Sequence, residues 1–187
     1  MNTLLHTCCA PCSIYCVDSL RQEGIEPVSY WFNPNIHPYT EYRSRKTTLE
    51  EYARLIDLKL IVDNTYGLRD FVKAVINDLG HRCFYCYQVR LEQTARYAAE
   101  HGFDSFSTTL LVSPYQKHEA LIAAGKAAAQ KYDVPFLYRD FRVGFHQGQN
   151  KARELKLYMQ KYCGCIFSEE DRYMAAKRKK KQKQQAL

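Results

Sequence analysis

The sequence predicts an α/β protein in which helices cover both faces of a parallel sheet. Short apolar stretches alternate along the chain with longer amphipathic ones, which is typical of parallel strands joined by crossover helices. The length of 187 residues suits one domain that buries a core without metal or disulfide support. The apolar fraction of 46% and the charged fraction of 25% are those of an ordinary globular protein.

The first half of the chain holds three predicted strands and two predicted helices. Thr3–Thr7 is a short buried strand, and Pro11–Gly24 is a helix with proline in its first turn and glycine at its end. Pro27–Asn33 (PVSYWFN) predicts a second strand, closed by the loop PNIHP. Tyr39–Ile56 then predicts a long amphipathic helix, and Leu58–Asp63 the third strand.

The second half continues the alternation. Gly67–Asp78 and Phe84–Gly102 predict helices, the second with an apolar face. The remaining predicted elements are the strand Phe103–Thr109, the alanine-rich helix Tyr115–Tyr132, the strand Pro135–Arg139 and the last helix Asn150–Tyr162.

Residues 1–173 are predicted to be a single α/β catalytic domain, and residues 174–187 a basic, disordered tail. The tail carries six cations and no acid, so the net charge of +7 falls to near +1 in the body. Such a tail is either simply solvated or follows the phosphates of a nucleic-acid partner. The 15 tyrosines also allow two interpretations: they pack as amphipathic side chains, or they stack on unpaired bases of a nucleic acid.

A cytoplasmic location is expected, because we see no signal peptide and no apolar run of membrane-spanning length. In a reducing compartment, clustered cysteines indicate metal binding or catalysis rather than structural disulfides. The chain has eight cysteines, four of them in the stretch LLHTCCAPCSIYC.

That stretch is the predicted turn between the first strand and the first helix. In a parallel α/β sheet the functional site lies at the carboxyl ends of the strands, which is where this turn falls. The turn lacks the glycines of a phosphate-binding loop. Its thiols instead lie at a helix N-terminus, which favours thiolate over thiol.

A second cysteine pair, Cys83 and Cys86, opens another predicted helix. Together with Cys8 and Cys9 it makes a four-thiolate set for zinc or for an iron–sulfur cluster. Adjacent side chains in extended backbone diverge, so Cys8 and Cys9 are expected to fit poorly on one tetrahedral ion. The set therefore favours a cluster, alone or beside a second metal, while a structural zinc site stays an alternative.

The two remaining cysteines near the turn, and the histidines His6 and His146, have less definite roles. Cys12 could ligate a metal, whereas Cys16 is expected to fill the core. His6 is expected to be a hydrogen-bonded core residue. His146 lies in a polar segment that serves either substrate contact or solvation.

Cys163, Gly164 and Cys165 form a CGC motif. A disulfide between cysteines two positions apart closes a small, strained ring, for which Gly164 supplies the backbone freedom. Such a disulfide is easily reduced and suits redox cycling. The alternatives are that both cysteines complete a metal site or are merely packed.

Five stretches together resemble a known family, in order and at fitting distances. They are HTCCAPCS, FNPNIHPYTEYRSR, RCFYCYQVRLEQTA, STTLLVSPYQ and YCGCIFS. This combination of a vicinal cysteine pair, a CxxC motif and a CGC motif resembles the cobalamin-independent epoxyqueuosine reductases. The resemblance extends to about Tyr173. It implies a fold related to the adenine-nucleotide alpha hydrolases, a 4Fe-4S cluster, and reduction of epoxyqueuosine to queuosine at wobble position 34 of tRNA.

The resemblance also implies roles for individual residues. The family's cluster cysteines match Cys8, Cys9, Cys83 and Cys86, and its redox-active pair matches Cys163 and Cys165. Some relatives carry an additional mononuclear iron and have Asp at the position of Cys12. The implied partners are tRNA carrying epoxyqueuosine in its anticodon arm and an external electron donor; no membrane is implied, and nothing in the sequence indicates cobalamin binding.

Two other functions remain open at this point. An ATP-dependent tRNA thiolase of related fold would need a glycine-rich pyrophosphate loop, which Thr7–Ser13 does not provide. A metal-stapled tRNA-binding or electron-carrier module would use the same cysteines without catalysing a reaction.

Overall fold

Four parallel strands form the sheet of this protein. They are β1 (Thr3–His6), β2 (Pro27–Trp31), β3 (Leu60–Val62) and β4 (Ser105–Thr108), in the order β3-β2-β1-β4. The computed structural model describes residues 1–174. The central strand β1 pairs with β2 and β4 in parallel register, so that His6 lies opposite Tyr30 on one side and Thr108 on the other. The turn after β1 therefore opens at the middle of the sheet's carboxyl edge.

Between residues 1 and 154, six α-helices connect and cover the strands. They are α1 (Ala10–Gln22), α2 (Tyr39–Leu55), α3 (Leu68–Val75), α4 (Arg82–Glu100), α5 (His118–Tyr132) and α6 (Phe145–Glu154). Helix α1 packs against α2 and α6, while α4 packs against α5. The change of crossover direction after β3 puts these two groups on opposite faces, so the predicted fold class is confirmed. None of the helices described in residues 1–174 is long and apolar enough to cross a membrane.

The predicted strand Pro135–Arg139 is wrong as a strand. The segment makes a single bridge to β4, in which the Phe106 N–H donates to the Pro135 carbonyl oxygen at 2.9 Å and the Leu137 N–H donates to the Phe106 carbonyl oxygen at 2.8 Å. Proline at its first position has no N–H to extend the ladder. The segment is therefore only a short edge to the sheet.

The last predicted helix, Asn150–Tyr162, is also wrong in its limits. Helix α6 begins five residues earlier, after a short 3₁₀ turn, and ends at Glu154. Lys156 then adopts a left-handed conformation (φ 55°), and the Leu157 N–H donates to the Ala152 carbonyl oxygen. This arrangement is a helix-terminating motif. The chain beyond it runs irregularly until a further helical stretch begins at residue 166.

The core fills both faces of the sheet. Leu4 and Leu5 of β1 point to opposite faces, and both are fully buried. Phe106 and Leu91 pack with them, and Trp31 lies in a second cluster between the sheet and α2. Each such side chain contributes about 1.5–3 kcal/mol on burial. The core thus fixes the end of β1, where the thiols begin.

The predicted basic tail lies outside the described residues, apart from Met174. The domain limit at residue 173 stays a prediction.

A substitution at Gly144 tests how α6 packs on α1. A Cβ atom at Gly144 would overlap the ring of Tyr15 on α1, whereas one at Gly148, on the same helix, would have 3.4 Å to its nearest neighbour, the Pro11 carbonyl oxygen. Gly144→Ala should therefore lower the free energy of unfolding by about 1–3 kcal/mol, measured by urea denaturation. Gly148→Ala is the matched control and should change it by less than about 1 kcal/mol. Equal effects of the two variants would contradict this account.

Candidate active site

Three thiols converge in the turn between β1 and α1. The sulfur atoms of Cys8, Cys9 and Cys12 all lie within 4.8 Å of one another, with 3.9 Å between those of Cys8 and Cys9, and all three residues are buried. The expectation that Cys8 and Cys9 diverge is wrong. Although Cys9 is extended (φ −175°, ψ 162°), the chain bends at Cys8 and turns its side chain toward its neighbour.

This trio fits a thiophilic metal. Sulfur ligands about 2.3 Å from a tetrahedral ion are about 3.8 Å apart, so the sulfurs of Cys8 and Cys9 can share one ion. A group of three also leaves an open position on that ion for a further ligand. The donor set is therefore compatible with one metal ion or with part of an iron–sulfur cluster, and the zinc alternative is not weakened.

The three thiols differ in pKa. Hydrogen bonds from the thiols of Cys12 and Cys9 hold the pKa of Cys8 well below its usual range, and the Thr109 hydroxyl contributes in the same direction. Burial raises the pKa of Cys9, and the hydrogen bond to Cys8 raises that of Cys12. Cys8 is therefore the thiol of the group that loses its proton most readily.

Two uncharged side chains complete the surroundings of the trio. The Thr109 hydroxyl lies 3.5 Å from the Cys8 sulfur and accepts a hydrogen bond from the Cys8 N–H at 3.2 Å. The Gln160 amide nitrogen lies 3.1 Å from the Cys9 sulfur and 3.6 Å from the Cys12 sulfur. Gln160 belongs to the irregular segment after α6, so that segment returns the chain to the strand ends.

Cys86 lies beside a buried arginine. One terminal nitrogen of Arg90, a turn further along α4, is 2.9 Å from the Cys86 sulfur, and its Nε donates to the Cys86 carbonyl oxygen at 3.2 Å. Arg90 is only 2% exposed, and no carboxylate within residues 1–174 comes within 4 Å of it. A buried guanidinium needs an anionic partner. Yet burial raises the pKa of Cys86 to about 12. A metal bond would hold Cys86 as the thiolate that Arg90 requires.

The CGC motif lies across the cleft from the trio. Cys163 is exposed and 3.4 Å from the Gln116 amide nitrogen, whereas Cys165 is buried against Phe71 and Cys86. Gly164 has φ 155°, a conformation that side chains disfavour, as the motif predicts. All eight cysteines are free thiols in the structure, so the two sulfurs of the motif are not joined.

A buried ion pair holds the CGC segment in place. Arg45 of α2, 2% exposed, donates to Glu41 at 2.7 Å and to the carbonyl oxygens of Tyr162 and Cys163 at 2.9 and 2.8 Å. The phenol of Tyr158 donates to the same carboxylate. The guanidinium thus fixes the backbone on the N-terminal side of Gly164 to a helix that packs on the sheet.

These elements enclose one cleft of about 1100 Å³. Cys8, Cys12 and Cys163 line it, whereas Cys86 lines a separate cavity of about 230 Å³. Arg90 lines both, so its guanidinium lies between the two spaces. Thiols from the turn and from the CGC motif therefore face a single space large enough for a nucleoside-sized ligand.

Comparison with known proteins identifies the family. The protein-family model described as "Epoxyqueuosine reductase QueH" matches residues 3–171. The chain belongs to the QueH family. A relative named epoxyqueuosine reductase QueH from Dehalococcoides mccartyi is 38% identical over 170 residues, covering 91% of this chain and 93% of the relative. One from Thermotoga maritima is 35% identical over 176 residues, covering 89% and 90%. The predicted family, and with it the oxidoreductase class, is confirmed.

A solved structure supports the fold alone. The predicted subunit of a tRNA methyltransferase from Methanocaldococcus jannaschii superimposes with a TM-score of 0.56 at 15% identity, covering 82% of this chain and 74% of that one. This similarity agrees with the α/β fold of the chain, and the relation to the adenine-nucleotide alpha hydrolases stays a prediction.

The structure brings some of the predicted site residues together and leaves others apart. Cys8 and Cys9 come together with Cys12, but within residues 1–174 no group of ligand atoms at this spacing includes Cys83 or Cys86. The four-cysteine cluster set thus stays a prediction. His6 is a core residue as expected: both ring nitrogens are hydrogen-bonded, and burial lowers its pKa to about 3. Cys16 is buried, and its thiol donates to the Cys12 carbonyl oxygen. His146 lines the cleft.

Five residues that contact the thiols or the CGC segment had no role assigned from sequence. They are Arg45, Arg90, Thr109, Gln116 and Gln160. For Arg90 a signal exists, because four residues separate it from Cys86 and helical spacing puts the two on one face. The others reach the site through tertiary contacts that no local spacing encodes.

The buried pair of Glu41 and Arg45 gives a stability prediction. Arg45→Met leaves the Glu41 carboxylate buried without its cation, which should lower the free energy of unfolding by about 3–5 kcal/mol in urea denaturation. The double variant Glu41→Leu/Arg45→Met removes both charges and should recover part of this loss. A double variant as unstable as the single one would show that the cost lies in the lost carbonyl hydrogen bonds instead.

Proposed function

We propose that this protein is cytoplasmic and reduces epoxyqueuosine to queuosine at wobble position 34 of tRNA, without cobalamin. The observation that carries the proposal is the cleft in which the turn thiols Cys8 and Cys12 face the CGC thiol Cys163, in a chain that belongs to the QueH family. The relatives' printed name supplies the substrate. A space lined by several thiols suits a reductive step on a nucleoside held within it.

The stoichiometry of the reaction matches a dithiol. Removing the epoxide oxygen as water leaves an alkene and consumes two electrons and two protons. Oxidation of Cys163 and Cys165 to a disulfide releases two electrons and two protons, so the step balances. An external electron donor then returns the disulfide to the dithiol. Gln116, hydrogen-bonded to Cys163, orients the exposed sulfur toward the cleft.

We assign a 4Fe-4S cluster to Cys8, Cys9, Cys83 and Cys86, and an additional mononuclear iron to a site that includes Cys12. Two observations support metal at these residues: the trio of sulfurs within 4.8 Å of one another, and the buried Arg90 with Cys86 as its nearest anionizable partner. When bound, the cluster would supply single-electron transfers, and the iron a Lewis acid for the epoxide oxygen. Thr109 and Gln160 would keep the sulfurs oriented.

The direct test is turnover. Protein purified without oxygen is mixed with tRNA that carries epoxyqueuosine, in the presence of a chemical reductant, and the nucleosides are analysed by mass spectrometry. Conversion to queuosine without added cobalamin supports the proposal. Protein that holds iron and inorganic sulfide but leaves epoxyqueuosine unchanged would favour an electron-carrier module.

The cluster assignment predicts the behaviour of single cysteine variants. Serine at Cys8, Cys9, Cys83 or Cys86 should reduce both iron and inorganic sulfide content and weaken the visible charge-transfer absorbance. Cys16→Ala is the matched control: this thiol is buried one turn from Cys12 but is not a proposed ligand. Full iron and sulfide content in Cys83→Ser would overturn the assignment of that residue.

The CGC assignment predicts a different phenotype. Cys163→Ser and Cys165→Ser should keep iron, sulfide and visible absorbance, yet lose epoxide reduction. Mass spectrometry of the wild-type protein should show the pair lighter by the mass of two hydrogen atoms after oxidation. Loss of iron in either variant would make the sulfurs metal ligands, and an active double variant would exclude the dithiol role.

A further inference from the structure

An exposed aromatic pair borders the cleft. Tyr115 is 84% exposed, and its ring meets that of Phe145 edge-on, with 5.8 Å between the ring centroids. Both residues line the cleft, as does Cys163. A large aromatic ring that is so exposed contributes almost nothing to the core. Its position at the entrance to a reaction site indicates a contact made by the ligand.

Tyr87 of α4 contacts the loop that carries Tyr115. The phenol of Tyr87 on α4 donates to the side-chain oxygen Oε1 of Gln116 at 2.9 Å and accepts from the Lys117 N–H at 3.0 Å. The amide nitrogen of the same Gln116 lies 3.4 Å from the Cys163 sulfur. Tyr115 therefore lies next to Gln116, whose side chain contacts both Tyr87 and the proposed redox thiol.

Cations outnumber acids among the charged residues that line the cleft. Arg45 and Arg90 lie in its interior, and Arg153, Lys161 and Arg172 complete the set. Within residues 1–174 these last three have no carboxylate within 4 Å. Among the described residues, Asp171 is the one acid that lines the cleft, and it is held by Arg82 at 2.5 Å. Cations without acidic partners beside exposed aromatic rings suit a single-stranded nucleic acid, which offers phosphates and unstacked bases.

We infer that Tyr115 and Phe145 form a stacking platform for an unpaired anticodon-loop base next to the modified nucleoside, and that Arg153, Lys161 and Arg172 bind the flanking phosphates. This inference rests on the proposed function for the identity of the RNA. Stacking on one face of Tyr115 leaves the volume of the cleft for the nucleoside that reacts. Base stacking tolerates any base, so the platform would position the loop without reading its sequence.

Binding of an unmodified anticodon stem-loop RNA tests the platform separately from catalysis. Tyr115→Ala should weaken the RNA affinity, measured by fluorescence anisotropy, by roughly 5- to 100-fold, while Tyr115→Phe keeps the ring and should bind within about twofold of wild type. Tyr39→Ala is the matched control, because Tyr39 is 56% exposed and does not line the cleft. Wild-type affinity in Tyr115→Ala, or an equal loss in Tyr39→Ala, would overturn the inference.

Salt dependence tests the cations. Alanine at Arg153, Lys161 or Arg172 should each reduce the slope of log affinity against log salt by about 0.7, the value for one phosphate contact on a single strand. Lys126→Ala, an exposed change on α5 away from the cleft, should leave the slope unchanged. Unchanged slopes in all three cleft variants would exclude phosphate binding there.

The two proposals fail in different ways. The binding probe contains no epoxyqueuosine and needs no turnover, so weakened binding in Tyr115→Ala supports the platform even if the wild-type protein fails to make queuosine. Conversely, wild-type turnover combined with unaltered RNA affinity in Tyr115→Ala would leave the reductase assignment standing and remove the platform.

Discussion

The buried ion pair between Glu41 and Arg45 determines where the CGC motif lies. The segment from residue 155 to residue 165 has no regular structure of its own, so it needs fixed points elsewhere. Arg45 supplies two of them, and the Tyr162 phenol, which donates to the His37 carbonyl oxygen at 2.7 Å, supplies another. The His37 N–H also donates to the Gly164 carbonyl oxygen at 2.8 Å. Without these contacts the cleft would lose one wall.

The charged side chain in contact with the Cys86 sulfur is an arginine, and the Glu41 carboxylate is held by Arg45. Arg90 lies beside Cys86, and the Cys8 thiol has the lowest pKa of its trio. A low-dielectric interior strengthens the attraction between a guanidinium and a thiolate. The neutral residues Thr109, Gln116 and Gln160 add hydrogen bonds to sulfur without adding charge. Each thiol thereby keeps an orientation that its own flexible side chain does not impose.

The sequence predicted the order of the strands and helices because periodicity and turn residues are local signals. It also placed the cysteine turn at the carboxyl edge of the sheet. It failed where a single tertiary feature decided the outcome: Lys156 ends α6 in a left-handed conformation, and Pro135 limits the edge segment to one bridge. It also failed to predict that a bend at Cys8 brings the sulfur atoms of Cys8 and Cys9 to 3.9 Å from each other. Dihedral angles of single residues in a turn are not encoded by pattern.

The unequal exposure of Cys163 and Cys165 restricts how a donor could approach an oxidised CGC motif. Cys163 faces solvent at the cleft, whereas Cys165 is enclosed with Phe71, Val75 and Cys86. Thiol–disulfide exchange requires an in-line path to the sulfur under attack. An incoming thiolate could reach only the outer sulfur, so the mixed disulfide would form at Cys163 and the departing thiolate would be that of Cys165. Net reduction would then require a second thiol of the donor to attack the donor's own sulfur in the mixed disulfide and release Cys163, because attack by Cys165 would only re-form the CGC disulfide. Bulky donors would be limited by how far they enter the cleft rather than by their reducing power.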